Sequence, residues 1–295
     1  MQDMYFKNKA EVRKYKIIGI VKDIFLYLFL TFFALFTLIP FYWMISTALK
    51  TSDELIQIPQ SLYPTFQKGW QDSFASVFSG DNAVLIRYMF NTILVGVTTT
   101  AISVCITVLA AFAFSRLSFK GRDTIFALLL GTMMIPGEMM IITNFTTVAA
   151  WGWLDSYTAL IIPFTASVFY TFFLRQNFKQ IPDELYYAAK VDGNSDFSYL
   201  FKVMIPIAKP SIITITILSM IGSWNAYIWP RTVSQGFTMK LITDGIMSLF
   251  QSDMGQNVDN QIMAAATVVS IPLLLAFVIF KKYIMRGVAR SGIKG

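Results

Sequence analysis

The chain has 295 residues, 55% of them hydrophobic, 16% aromatic and only 14% charged, with a mean hydropathy of +0.57 and a net charge of +7. Soluble domains carry about 25% charged residues, so this composition excludes an ordinary soluble domain and points to a membrane protein. The absence of histidine removes an imidazole base and any His-ligated metal, and no Gly-Lys pair is present to build a phosphate-cradling P-loop.

A transmembrane helix needs about 20 apolar residues. Uncharged runs of that order at 24–49, 88–114, 124–137 (continuing past Glu138), 157–174, 210–230 and 262–280 predict an all-α polytopic protein with six transmembrane helices. The first run is too long for a signal-peptide core, and no small-x-small cleavage site follows it, so it is expected to be retained. Cys105 lies inside the second run and is expected to be a small core residue. Trp151-Gly152-Trp153 blurs the boundary between the third and fourth spans.

Two connecting segments are long. Residues 51–87 contain Pro59, Pro64 and an amphipathic stretch around Trp70, Phe74, Val77 and Phe78 that predicts a short helix, and 231–260 carries Asp244, Asp253 and Asp259. Within the third span, Glu138 follows Pro136-Gly137 about fourteen residues in, roughly 21 Å into a hydrocarbon core about 30 Å thick. A carboxylate at that depth should face a cavity or a partner. Trp224-Asn225 lies at a similar depth in the fifth span if that helix starts near Pro210. Tyr227, Trp229, Trp151 and Trp153 also fit an interfacial aromatic belt.

Residues 181–210, IPDELYYAAKVDGNSDFSYLFKVMIPIAKP, are a polar, helix-forming stretch between two apolar runs. Pro182 suits a first helical turn, and Asp183 and Glu184 then sit where the helix dipole favours negative charge. Gly193 can take the left-handed conformation that closes this helix. Ser195 can cap a second short helix through Leu200, Phe201 and Met204, which Pro206 ends. The product is a helix–turn–helix at a membrane face. Its shape alone leaves two readings open, a plug for a socket on another protein and an interfacial amphipathic helix without a partner.

Charge orients the spans. With both termini on the cytoplasmic side, only Lys50, Lys68, Arg87, Arg231 and Lys240 of the 24 Lys and Arg lie outside, and the rest lie inside. That places the 181–210 loop in the cytoplasm. It also makes the positive charge a topology signal, so nucleic-acid binding is not needed to explain it. The basic cluster Lys7, Lys9, Arg13, Lys14 and Lys16 can touch anionic lipid.

The same loop resembles the EAA loop of bacterial ABC-importer permeases, with Ala188-Ala189, Asp192-Gly193 and Ile205 to Pro210 around Pro206 at the family's spacing. One departure is Tyr187, which stands where the family has a glutamate. Leu38-Ile39-Pro40-Phe41-Tyr42-Trp43 with Ser46 and Leu49-Lys50, Asn91 at the start of the second span, Ser223-Trp224-Asn225 with Trp229-Pro230, and the C-terminal Gly292-Ile293-Lys294-Gly295 are similar to the carbohydrate-uptake subgroup, like maltose permeases of the shorter type.

The resemblance implies a cytoplasmic N-terminal segment at 1–23 and a transmembrane permease domain at 24–295 in the bacterial inner membrane. Within that domain it implies a coupling loop at 181–210, outer loops at 51–87 and 231–260, and a cytoplasmic tail at 281–295. It implies a second homologous permease, two cytoplasmic ATPase subunits holding ATP and magnesium, and an extracytoplasmic sugar-binding protein. This chain would hold no cofactor and catalyse nothing itself. Tyr187, Ala188, Ala189, Asp192, Gly193 and Pro206 would couple to the ATPases. Sugars present apolar faces and hydroxyl edges, so Glu138, Ser223, Trp224, Asn225 and Tyr227 are the candidates for the solute path. The alternatives are import of a non-sugar solute by the same fold and, more distantly, an ATPase-independent membrane enzyme or channel.

Overall fold

The computed structural model describes residues 9–66, 70–78, 84–252 and 259–292. Outside them lie Lys7 of the basic cluster, Lys68 and Asp253 of the two long loops, and the last residues of the tail, 293–295. Every regular element among the described residues is a helix. The chain divides into two units, Met1–Phe74 with Asn257–Thr267, and Ala75–Gln256 with Val268–Gly295.

In the first unit, helix α1 (Lys9–Ala48) starts well before the uncharged run, because Lys, Arg and Glu are good helix formers and charge does not stop a helix. Beyond its end the chain is folded back by polar contacts. Tyr42 Oη donates to Leu62 O at 2.8 Å, and Lys50 Nζ, fully buried, donates to Ser61 O at 2.6 Å. Helix α2 (Ser52–Ile56) opens with a capping box between Thr51 and Glu54. Burial pushes the Glu54 carboxyl up, but hydrogen bonds from Thr65 and Thr51 outweigh it and hold the group below its usual range. Helix α3 (Asp72–Phe78) forms where the amphipathic stretch predicted it.

The second unit is built on α4 (Val84–Arg116). Its buried face carries Thr92, Gly96, Thr99, Thr100, Ser103 and Thr107, small residues that let neighbouring backbones approach closely. Against it pack α8 (Val168–Lys179) and α11 (Ile205–Trp224), with Thr100 Oγ1 donating to Ser219 Oγ across the seam at 3.1 Å. Cys105 lies on the other face and is exposed, not in the core as its type suggested.

Among the described residues, five apolar helical segments are long enough to cross a membrane: Tyr15–Ala48, Val84–Arg116, Tyr157–Lys179, Asp196–Trp224 and Asp259–Lys281. The expected third span is a broken pair. Helix α5 (Arg122–Thr132) and the segment Gly137–Ala150, which contains α6 (Ile141–Ala150), meet at 85°. The amides of Met133, Met134 and Ile135 bond three residues back at 3.1–3.2 Å and tighten the last turn of α5. Pro136 then bars its predecessor from helical geometry. The fourth span is also interrupted, between α7 (Tyr157–Ile161) and α8, by a short 3₁₀ turn, Ile162–Phe164.

Beyond α8 come α9 (Asp183–Val191) and α10 (Asp196–Tyr199). Pro206 does not end α10. The helix runs on through a widened π turn, Leu200–Met204, into α11. A prolyl ring collides with the carbonyl four residues before it, here Lys202, and the widened turn moves that carbonyl out of the way.

After α11 the chain breaks at residues 225–227, re-enters as α12 (Ile228–Val233), and continues through α13 (Ile242–Ser252) to the last helix, α14 (Asp259–Gly292). Helix α13 lies so close to α4 that a Cβ on Gly245 would stand 2.1 Å from Tyr88 Cδ2. Only glycine allows this approach. Asn91, 1% exposed, ties the same return loop down: its Nδ2 donates to Thr238 O at 3.0 Å and Lys240 O at 3.1 Å, and its Oδ1 accepts from Tyr157 Oη at 2.8 Å.

Candidate functional site

Two places in the second unit gather the residues that the sequence singled out. At the first, α9 and α10 form a tight helix–turn–helix. The amide of Asn194 bonds to Ala189 O at 2.9 Å and that of Gly193 to Lys190 O at 3.0 Å, a Schellman closure with Gly193 at φ +76°. Ser195 then caps α10 by accepting from Ser198 N. Across the turn, Asp196 Oδ1 accepts from Tyr186 Oη at 2.7 Å and pairs with Lys190 Nζ at 2.8 Å. Burial first, and the hydrogen bond to Asp196 second, push the Tyr186 phenol up to about 12.

The hairpin is fastened at its base. The Arg116 side chain, 3% exposed at the end of α4, pairs with Asp183 and donates to the carbonyls of Phe178 and Ile181. Tyr199, Leu200 and Met204 are buried with Phe112, Leu174 and Phe178 in one apolar cluster. The other side of the hairpin faces outward: Tyr187 is 64% exposed, Val191 88%, Phe197 65% and Phe201 60%. A rigid device that displays apolar side chains in this way is the mark of an interaction site.

At the second place, a cavity of about 430 Å³ opens between α4, α8 and α11. Phe164, Phe169, Tyr170 and Trp229 give it aromatic walls, and Thr99, Ser167, Ser219 and Ser223 give it hydroxyls. Among the described residues, no Asp, Glu, Lys or Arg lines it. Its size falls within the roughly 300–1,000 Å³ of small-molecule sites.

Only part of the expected solute set meets there. Ser223 lines the cavity. Trp224 is 6% exposed and packed away, its carbonyl accepting from Thr243 Oγ1 at 3.0 Å. Asn225 caps α11, with both its backbone amide and its Nδ2 on Ile221 O. Tyr227 lies beside the Arg231 guanidinium, 5.6 Å from ring centroid to Cζ. Consecutive residues of a helix point about 100° apart, so Ser223, Trp224 and Asn225 cannot share one face, and after the break at 225–227 it is Ala226, Trp229 and Pro230 that line the cavity with Ser223. Trp229 is no interfacial belt residue but a buried wall, with Nε1 donating to Ala159 O at 3.0 Å. The Glu138 side chain is exposed and has no hydrogen bond or ion pair among the described residues.

Residues 103–290, which include the hairpin and all of the cavity lining but Val95 and Thr99, match the family model described as binding-protein-dependent transport system inner membrane component. The chain belongs to this family. Its relatives include an arabinooligosaccharides transport system permease protein of Bacillus subtilis, 30% identical over 91% of this chain and 94% of that protein. An sn-glycerol-3-phosphate transport system permease protein of Yersinia enterocolitica is 29% identical over 91% and 96%. Among solved structures, a chain of a bacterial ABC transporter that imports the acidic polysaccharide alginate superposes with a TM-score of 0.76 at 23% identity, over 94% of this chain and 99% of that one. It shares the fold.

As a member of a family of transport-system inner-membrane components, this protein is membrane-embedded and carries substrate rather than transforming it. What sequence reasoning missed in the transporter are the groups that hold its parts in place: Arg116, Tyr186, Asp196 and Trp229. Arg116 was visible only as a positive charge marking topology, and its fixing role depends on carbonyls 62 and 65 residues away in the chain.

Proposed function

We propose that this protein is one of two distinct permease subunits of an ATP-driven bacterial importer for a carbohydrate, an oligosaccharide delivered by an extracytoplasmic binding protein. Both termini and the helix–turn–helix 181–210 lie in the cytoplasm, and α5 with α6 forms the third of six spans. The observation that carries the importer reading is the stiffly anchored hairpin with its exposed apolar face. Two ATPase subunits, holding ATP and magnesium, close around nucleotide, and one grips this hairpin through Tyr187, Ala188, Ala189 and the turn at Asp192-Gly193, with Pro206 in the first turn of the helix it drives. Tyr187 brings an aromatic face where the family has a carboxylate, so the grip depends on shape more than charge. Because Arg116 and the Tyr199–Met204 segment fix the hairpin to α4, α8 and α11, its displacement moves those helices as a body and opens the solute path to one side at a time.

The cavity supports the substrate class. Aromatic faces match the C–H faces of a sugar ring, and Thr99, Ser167, Ser219 and Ser223 match its hydroxyls. A second reading, a phosphorylated solute such as that named for the Yersinia relative, needs a cation, and the described residues place none in the cavity. The test is affinity purification from native membranes in mild detergent with the co-eluting proteins identified by mass spectrometry. The importer reading requires a second permease and a P-loop ATPase. Recovery of the chain alone, under conditions that keep other membrane complexes intact, overturns it. The recovered complex is then assayed for uptake of an arabino-oligosaccharide against glycerol 3-phosphate.

A further inference from the structure

The break in the third span sets a problem that this chain does not solve for itself. Around it Met134 is 85% exposed, Met139 74% and Ile142 77%, and Glu138 stands exposed in their midst. The break lies about 16 Å from Arg122 along the eleven residues of α5, near the middle of a core about 30 Å thick. Lipid is a poor cover for such a surface. An ionised carboxylate at this depth is costly unless a partner or water meets it. Non-helical backbone, here residues 133–136, is tolerated at membrane depth only where protein or a water-filled cavity shields it. Exposed methionines are adaptable contact residues, suited to a surface that repacks as two bodies move.

We propose that the surface Met133–Ile142 is the seam with the second permease subunit, and that this partner presents an N–H or O–H donor to the Glu138 carboxylate. The proposal rests on the importer reading above. A second copy of this chain is the weaker occupant, because a two-fold contact centred on the bend would set two Glu138 carboxylates against each other. In the seam, Glu138 is a registration point: it fixes the height at which two apolar surfaces meet, a role in which a single buried polar pair is effective.

The test places the photoreactive residue p-benzoylphenylalanine at Met134 and, separately, at Met139 in the complete complex, with illumination in native membranes and identification of the adducts by mass spectrometry. Adducts between both positions and the second permease are expected. If the second permease co-purifies with the parent chain but both positions yield only lipid adducts or adducts with a second copy of this chain, the seam is overturned while the importer reading stands. If no second permease co-purifies at all, both fail. A paired measurement addresses the carboxylate: Glu138→Gln, which can still hydrogen-bond, keeps the two permeases together through detergent washing. Glu138→Leu loses most of the partner, and equal retention by Glu138→Leu overturns the proposed donor.

Discussion

At the scale of single residues, two glycines do different things. Gly245 is required by a neighbour: an added Cβ meets the Tyr88 ring at 2.1 Å. Gly245→Ala therefore forces α13 off α4 and is expected to cost about 1–3 kcal/mol, read as a lower unfolding temperature in detergent and partly restored by Tyr88→Leu. Gly193 has nothing within 4 Å of its missing side chain, so only its φ of +76° restricts it. Bulk and charge are thus no obstacle there. Asn, which tolerates the left-handed region, should be accepted, and a β-branched residue should not.

Asp244 makes a pH prediction. Its side chain is 3% exposed, and burial pushes its carboxyl above the usual range against the pull of Lys240 and Arg231. A raised carboxyl pKa means that the folded state binds the proton more tightly than the unfolded one. The ionised form therefore costs stability above the folded pKa, and acidification through that pKa relieves the cost. Protection of the α13 amides, taken relative to the intrinsic exchange rate at each pH, should rise as pH falls through the upper carboxylate range, and Asp244→Asn should abolish that rise. An unchanged profile in the variant contradicts the account. Tyr186, raised to about 12, works in the same sense at higher pH: its contribution is intact below about pH 10 and is lost as pH rises through 12.

At the scale of elements, the hairpin shows how much the sequence discloses. Pro182, Asp183, Glu184, Gly193 and Ser195 are local signals, each acting within a turn of its own position, and α9, the left-handed turn and the α10 cap all form where they were expected. Pro206 misled because the π turn that accommodates it is a property of the packed helix, with Leu200 and Met204 buried on either side of the widened turn. The solute candidates show the same limit. Ser223 lines the cavity and Trp224, Asn225 and Tyr227 do not, because the break after Trp224 depends on how the chain packs beyond it, and that packing also puts Trp229 in the cavity wall. The Arg116 clamp gives an element-scale prediction. Arg116→Met leaves the Ile181 carbonyl without its Arg116 donor while the Phe178 carbonyl keeps the Ile181 amide, a loss of about 1–3 kcal/mol if the Ile181 carbonyl stays buried, and frees the base of the hairpin. Uptake should fall severalfold while ATP hydrolysis by the purified complex persists. Equal losses in both would mean that the clamp serves assembly only.

At the scale of the whole molecule, the account describes a carrier without chemistry of its own. Its cavity offers hydroxyls and aromatic faces, and in the proposed function its hairpin converts motion in a neighbouring ATPase subunit into motion of α4, α8 and α11. Trp229→Phe tests the first half. It removes the bond to Ala159 O and reshapes one wall, so it should raise the sugar concentration needed for half-maximal uptake with little change in ATP hydrolysis; an unaltered concentration dependence removes the cavity from the path.

The most direct measurement is of coupling, in the complex reconstituted into vesicles, with Gly193→Val compared against the parent for ATP hydrolysis and sugar uptake together. A left-handed backbone costs an L residue roughly 1–2 kcal/mol, enough to shift the population of the closed turn by about tenfold. The account predicts that hydrolysis continues while uptake per ATP falls by about that factor. Uptake per ATP equal to that of the parent would contradict the rigid hairpin as the coupling element.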